Sequence, residues 1–197
     1  LESTYRNNFI TNNASSKEFI LAVPFDEVFA KGFSLSEGIL HSLNELYSLD
    51  ISQTELGIQV DMTVSSRAFM ALKEHRRIMI GRTGCGLCGV ESLKQLYANL
   101  PIVNTSVSSI WLNQIPNAIA QLKVRQKISE LTGGAHAAAW VVKGQIVALF
   151  EDVGRHNALD KLLGYLAEQK LNVADGFVVM TSRASYELIR KCAQYNI

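Results

Sequence analysis

The chain has 197 residues, 48% of them hydrophobic, and its 19 Lys+Arg against 18 Asp+Glu leave a formal net charge of +1. That is the length of one domain, or of one domain with a small lobe, with enough apolar mass to bury a core. So even a balance gives no global drive toward nucleic acid or an anionic membrane surface, which makes any anion site a local one. No apolar run approaches the roughly 18 residues of a membrane-spanning helix. Three cysteines, an odd number, argue against a disulfide scaffold and fit a reducing compartment. With no charged n-region followed by an apolar h-region after Leu1, no export signal is read, and a cytoplasmic location is expected.

Residues 1–16 are polar, rich in Asn, Ser and Thr, and are expected to be partly flexible. "KEFILAV" (17–23) reads as a strand. Pro24 suits the first turn of a helix over "PFDEVFAKG", ended by Gly32. A second short helix is expected through "SLSEGILHSLNEL", beginning at Ser34 or Ser36. "LGIQVDMTV" (56–64) alternates imperfectly and reads as a strand. "RAFMALKEHRRIMIGR" is helix-compatible and carries Arg67, Lys73, Arg76, Arg77 and Arg82 against Glu74. "VESLKQLYANL" and "IPNAIAQLKVRQKISEL" (115–131) are further helices. "AAAWVV" and "QIVALF" flank Lys143-Gly144, a two-residue hairpin turn, with the second strand ending at Phe150. In the helix after "EDVGR", Leu159, Leu162, Leu163 and Leu166 recur at helical spacing and mark one buried face. "GFVVMT" (176–181) is a further strand, after which Ser182 or Ser185 caps "YELIRKCAQ". Strand-turn-helix units of this kind suggest an α/β layered domain with a mixed sheet.

Three stretches can carry chemistry. In "GRTGCGLCGVESL" (81–93), four glycines surround Cys85 and Cys88, an arrangement that suits neither helix nor strand interior. Half of a zinc site would need two further ligands from Cys192 and His41, His75, His136 or His156, without a second C-x-x-C or an H-x₃₋₅-H pair. A thioredoxin-like pair would need the motif at a helix start, which "VESLKQL" could supply. The third reading is an exposed nucleophilic thiol whose thiolate is favoured by the five nearby cations. In "LTGGAHAAAW" (131–140), Gly133 and Gly134 allow close backbone approach, and His136 is either a satisfied core residue or a site residue. "FEDVGRHNALDKLLG" (150–164) packs Glu151, Asp152, Arg155, His156, Asn157, Asp160 and Lys161 around one strand-to-helix corner. Such a corner is either a solvated, capped first turn or an anion site built on a helix N-terminus and a forked guanidinium. "TSRASYE" repeats the idea with Thr181, Ser182 and Arg183. Two such corners on one sheet are where a nucleotide crevice tends to form, though neither is a standard nucleotide-binding loop.

Together "GFSLSEGIL", "GRTGCGLCGVESL", "LTGGAHAAAW", "EDVGRHNALDKLLG" and "TSRASYELI" resemble the formate dehydrogenase accessory sulfurtransferase family, FdhD, in order and over most of residues 25–192. The resemblance implies a three-layer α/β/α domain similar to the cytidine deaminase fold, and a homodimer. It implies a sulfurtransferase that accepts persulfide sulfur from a cysteine desulfurase. The sulfur would pass to the molybdenum of bis(molybdopterin guanine dinucleotide) before that cofactor enters the catalytic subunit of formate dehydrogenase. It places the persulfide on Cys85, with Cys88 as the second cysteine. A guanine-nucleotide moiety (GDP or GMP) is expected near Gly133, His136, Arg155, His156, Asn157, Thr181, Ser182 and Arg183, and no structural metal.

Hydrolytic deamination is not expected, because "HAA" places Ala138 where a zinc deaminase needs its proton-shuttling Glu. Residues 1–24 are read as an N-terminal extension and first strand, and 25–197 as one domain ending before the family's F-x-x-P-G-R-like C-terminal segment. The alternative function is a non-catalytic chaperone that binds and delivers the same cofactor.

Overall fold

β4 (His136–Val142) is an almost unbroken apolar strand whose five central residues are all buried. Such a run suits a strand covered on both faces. In the computed structural model, which describes residues 3–9, 27–54, 57–79, 102–103 and 109–197, that is its position. β4 lies between β5 (Gln145–Asp152) and β6 (Gly176–Met180) and is antiparallel to both. Its odd-numbered residues Ala137, Ala139 and Val141 pack against Ala118 and Leu122 of helix α3 (Ser109–Arg125). Its even-numbered Ala138 and Trp140 pack against α5 (Arg155–Glu168) and α6 (Tyr186–Gln194). The period-2 alternation of a strand thus serves two cores, and helix, sheet and helix form three layers.

The β4–β5 turn is the expected one: Lys143 and Gly144 have φ of +49° and +75°, the left-handed pair of a type I′ hairpin. Its carbonyl at Gly144 accepts hydrogen bonds from Asn117 Nδ2 and Gln121 Nε2, both 2.8 Å, which tie the turn to α3.

A second sheet has the order β1-β3-β2, built from β1 (Ser3–Phe9), β2 (Leu46–Thr54) and β3 (Gly57–Val64), and it too is antiparallel. The α/β class stands, but among the described residues the sheets are antiparallel and not mixed. Two boundaries differ for the same reason, that pairing with β3 recruits polar residues. Ser3–Phe9, expected to be flexible, form a strand, and Leu46–Thr54 form one that the sequence did not suggest. Val64 of β3 then meets Leu35, Leu40 and Ala68 in a small core.

Helix α1 (Glu27–Ser36) does not stop at Gly32, and no second helix starts at Ser34 or Ser36. Gly32 is there for close approach: a Cβ on it would stand 1.7 Å from the Asp160 carbonyl oxygen, and one on Gly164 would stand 1.9 Å from that of Val28. The two glycines let α1 and α5 cross backbone to backbone. α5 is therefore buried on nearly every side, from Ala158 through Gly164, and not only along its leucine stripe.

The helix expected over 115–131 is two helices. α3 begins earlier, carries Pro116 inside, and breaks at Gln126; α4 (Lys127–Thr132) follows. The restart is set by Glu151, whose carboxylate accepts the Ile128 and Ser129 N–H groups at 2.9 Å each. α2 (Ser66–Met79) and β3 fall where the sequence places them. The β5 strand runs two residues past Phe150, to Asp152. The strand read at 17–23, Pro24 and the helix read through "VESLKQLYANL" lie outside the described residues. Among the described residues no helix is long and apolar enough to cross a membrane.

Candidate functional site

Because β4 is antiparallel to both neighbours, its first residue lies at the end where β5 and β6 finish. His136 is paired across the ladder with Asp152. Thr181, just past β6, donates its N–H to the Ala137 carbonyl at 3.1 Å, and its Oγ1 accepts the Ala137 N–H at 2.9 Å. Both strand-to-helix corners named from the sequence therefore flank the start of β4.

Asp152 organises the first corner. Its buried carboxylate accepts from the Gly154 N–H at 2.8 Å and Asn157 Nδ2 at 3.2 Å through Oδ1, and from Lys161 Nζ at 2.7 Å through Oδ2. A carboxylate at a helix start matches the positive end of the macrodipole, and the Lys161 ammonium offsets its charge. At the second corner, Ser182 Oγ donates to the Arg183 carbonyl at 3.3 Å. Ser185 holds the N-cap position of α6 with extended backbone, but no side-chain cap bond is made there. Its Oγ is buried without a hydrogen-bond partner, so the capping expected of Ser182 or Ser185 is not realised. His156 Nε2 joins the two corners by meeting Glu187 Oε2 at 2.9 Å.

The expected site residues thus divide by what they are free to do. Asn157, His156, Thr181 and Ser182 have protein partners. Among the described residues the side chains of Arg155, Arg183 and His136 have none. Two unpaired guanidiniums and an imidazole beside a 14-residue helix start are what a phosphate-bearing ligand requires.

Gly133 differs from expectation. No atom lies within 4 Å of a Cβ placed on it; it is a glycine because it ends α4 with φ +63°, the left-handed C-cap geometry. Glu151 and Asp160 leave the corner: Glu151 caps α4, and Asp160 accepts from Ser36 Oγ and Lys191 Nζ in the buried layer below. Ala138 is fully buried in the α5 core, where it could take no part in proton transfer.

Two of the five cations read beside the cysteines have contacts of their own. Arg67 bonds both oxygens of Glu45 and the Ile39 carbonyl. Lys73 lies over the Phe69 ring at 4.6 Å. Cys85, Cys88 and Arg82, with the side chains of Arg76 and Arg77, lie outside what the structure describes. Cys192 packs into the α5–α6 core, and burial, with the Asp160 charge beside it, pushes its thiol up to about 11. It is a neutral thiol at ordinary pH and a poor nucleophile.

Asp152, Lys161 and Glu187 are the residues whose roles the sequence did not reveal. For Glu187 the signal was the four-residue spacing of His156 and Asp160 on one helix and of Glu187 and Lys191 on the next, legible only once the strand order is known.

The protein is thus an α/β domain with two guanidiniums at its strand ends that have no partner among the described residues. The chain belongs to the FdhD/NarQ family, whose pattern it matches over residues 7–197. It is 54% identical over 186 residues to Sulfur carrier protein FdhD of Acinetobacter baylyi, a match covering 94% of this chain and 68% of that protein. It is 48% identical over 183 residues to Sulfur carrier protein FdhD of Cupriavidus necator, covering 92% and 63%. The fold is similar to the crystal structure of a protein assigned as a formate dehydrogenase accessory protein from Desulfotalea psychrophila. That match has a TM-score of 0.54 at 21% identity and covers 85% of this chain and 59% of the other. The chain thus spans about two thirds of the length of the curated relatives it matches.

Proposed function

We propose that the protein is a sulfurtransferase of formate dehydrogenase maturation. It takes persulfide sulfur from a cysteine desulfurase onto Cys85 and delivers it to bis(molybdopterin guanine dinucleotide), its substrate. The observation that carries this reading is the 54% identity to a protein named as a sulfur carrier. Both Cys85 and Cys88 fall inside the family match. The strand-end corner supports the second half, since Arg155 and Arg183, with no partner among the described residues, could take the phosphates of a guanine nucleotide.

The two thiols have different tasks in this mechanism. Attack by the Cys88 thiolate on the inner sulfur of the Cys85 persulfide forms a Cys85–Cys88 disulfide and breaks the bond to the outer sulfur. That outer sulfur leaves as hydrosulfide, reduced by the electron pairs the thiols give up. A thiol reductant then restores the pair. The protein works as a homodimer in the cytoplasm, the pairing supported by an apolar fraction of 48%, with the formate dehydrogenase catalytic subunit as recipient of the cofactor.

Intact mass spectrometry after incubation with a cysteine desulfurase and cysteine tests the reading. The unaltered chain and Cys88→Ala should each gain the mass of one sulfur, and Cys85→Ala none. No gain in any of them, with GDP binding intact, would make the protein a cofactor-binding chaperone instead.

A further inference from the structure

An ammonium carries three N–H donors. Lys161 is 2% exposed, and among the described residues its only acceptor is Asp152 Oδ2. Two donors of a buried cation therefore lack a partner among the described residues, a situation that native interiors avoid. Lys161 lines a cavity of about 350 Å³ between β5, α5 and the α3–α4 junction. That is within the range of small-molecule sites, roughly 300–1,000 Å³.

The rest of the lining fits an anion with an apolar body. Ile128, Leu149 and Phe150 supply apolar wall, and Arg125 and Lys127 stand at the rim. Arg125 uses one N–H, through Nη1, on the Ile146 carbonyl at 2.6 Å, and Lys127 has no partner among the described residues. The one acid in the lining, Glu151, has both oxygens occupied by backbone N–H groups of α4. Among the described residues three cations, Lys161 of them paired with Asp152, thus line a cavity whose one carboxylate is already turned to the helix start. Neither Arg155 nor Arg183 lines it, so it is distinct from those guanidiniums and touches the strand-end corner through the Lys161–Asp152 pair.

We propose that this cavity binds a small organic anion, a ring or short chain bearing a phosphate monoester or carboxylate, with the anionic head on Lys161 and the rim cations. Phenyl phosphate, benzoate and inorganic phosphate, titrated into the full chain by calorimetry, separate the head from the body. One or both aromatic probes should bind, more tightly than inorganic phosphate by roughly tenfold, the gain of burying a ring. Lys161→Met should abolish binding in a chain whose circular dichroism is unchanged. Because that variant could fail to fold, Ile128→Trp provides a second route, filling the cavity from its rim. It should also abolish binding while leaving GDP affinity at the corner as it was, and Arg125→Ala should weaken binding several-fold. No binding of any probe would mean that water alone fills the cavity, and the proposal would fall. It would equally fall if Arg155→Ala removed phenyl phosphate binding and Ile128→Trp did not.

Discussion

His156 Nε2 stands 2.9 Å from Glu187 Oε2, and one helical turn further along both partners Lys191 Nζ stands 3.0 Å from Asp160 Oδ2. α5 and α6 run the same way because each follows one of two strands that share β4 as an antiparallel neighbour. Residues four apart on each helix therefore face each other as two rungs. The upper rung lies at the strand-end corner and is partly exposed; the lower one is buried. Whatever fixes the lower rung fixes the angle at which both helix starts present themselves to a ligand.

The lower rung is a closed network. Lys191 Nζ also meets Glu37 Oε1 at 2.7 Å and Ser36 Oγ at 2.9 Å, Ser36 donates to Asp160 at 2.6 Å, and Arg190 reaches Glu37 at 3.0 Å. Removing the ammonium leaves two buried carboxylates facing each other. Lys191→Met should cost about 3–5 kcal/mol, read from urea midpoints, with Asp160→Asn recovering part of the loss. Burial alone would lower the Lys191 pKa, but Asp160 and Glu37 outweigh it and hold it above its ordinary 10.5. A raised pKa gives stability that is full below 10.5 and lost as pH rises through the folded value. The unaltered protein should therefore lose stability on that alkaline limb, and Lys191→Met should lack this component.

Glu45 governs the opposite limb. The Arg67 guanidinium holds its carboxyl down at about 2, against the upward push of burial and with help from the His41 N–H and the Ser65 hydroxyl. A depressed carboxylate gives stability that is full above 4.5 and lost as pH falls toward 2. Arg67 is 38% exposed, so solvent screening reduces the contribution to about 1 kcal/mol or less. Denaturant midpoints at about pH 6 and about pH 3 should differ by that much less in Glu45→Gln. Equal acid sensitivity in the two proteins would show that the pair carries no acid-linked stability.

Much of this was legible from residue order. The Lys143-Gly144 turn, β3, α2 and the leucine stripe of α5 follow from local chemistry, and the corner was legible because its cationic and amide residues crowd two short motifs. What was not legible depends on contacts between distant segments. Gly32 reads as a helix stop because glycine costs helix stability in solvent; against Gly164 the same residue permits the crossing. Ser3–Phe9 and Leu46–Thr54 are too polar to announce themselves as strands without β3 beside them. Asp160 and Lys161 look like one solvated corner in sequence, yet one faces the α6 ammonium and the other faces Asp152.

The glycine crossing makes a direct prediction. A methyl group at Gly32 or Gly164 would overlap backbone carbonyl oxygens, at 1.7 Å and 1.9 Å, which cannot rotate away as a side chain can. α1 would have to lift off α5. Gly32→Ala and Gly164→Ala should each destabilise by at least the about 1–3 kcal/mol typical of overpacking, measured by thermal unfolding. Gly133→Ala, where the space is open but φ is +63°, should show only the smaller cost of left-handed backbone, about 1 kcal/mol.

The corner predicts a graded response of GDP affinity. Among the described residues Arg155 and Arg183 have no partners, so truncating either orphans no described buried group and should leave the melting temperature unchanged. Each charge-assisted bond to a phosphate is worth about 1.5–3 kcal/mol, so Arg155→Ala should weaken GDP roughly tenfold to a hundredfold. Asn157→Ala should do less: Asp152 Oδ1 keeps the Gly154 N–H, and the turn that aims Arg155 survives. His156→Ala removes the upper rung, and its effect on GDP should come with a loss of stability that Arg155→Ala does not show. Lys170→Ala, at an exposed residue beyond the far end of α5, is the control for net charge. Calorimetric titration of the four variants distinguishes these outcomes. If Lys170→Ala and Arg155→Ala weaken GDP equally, the nucleotide responds to overall charge and does not sit at the strand ends.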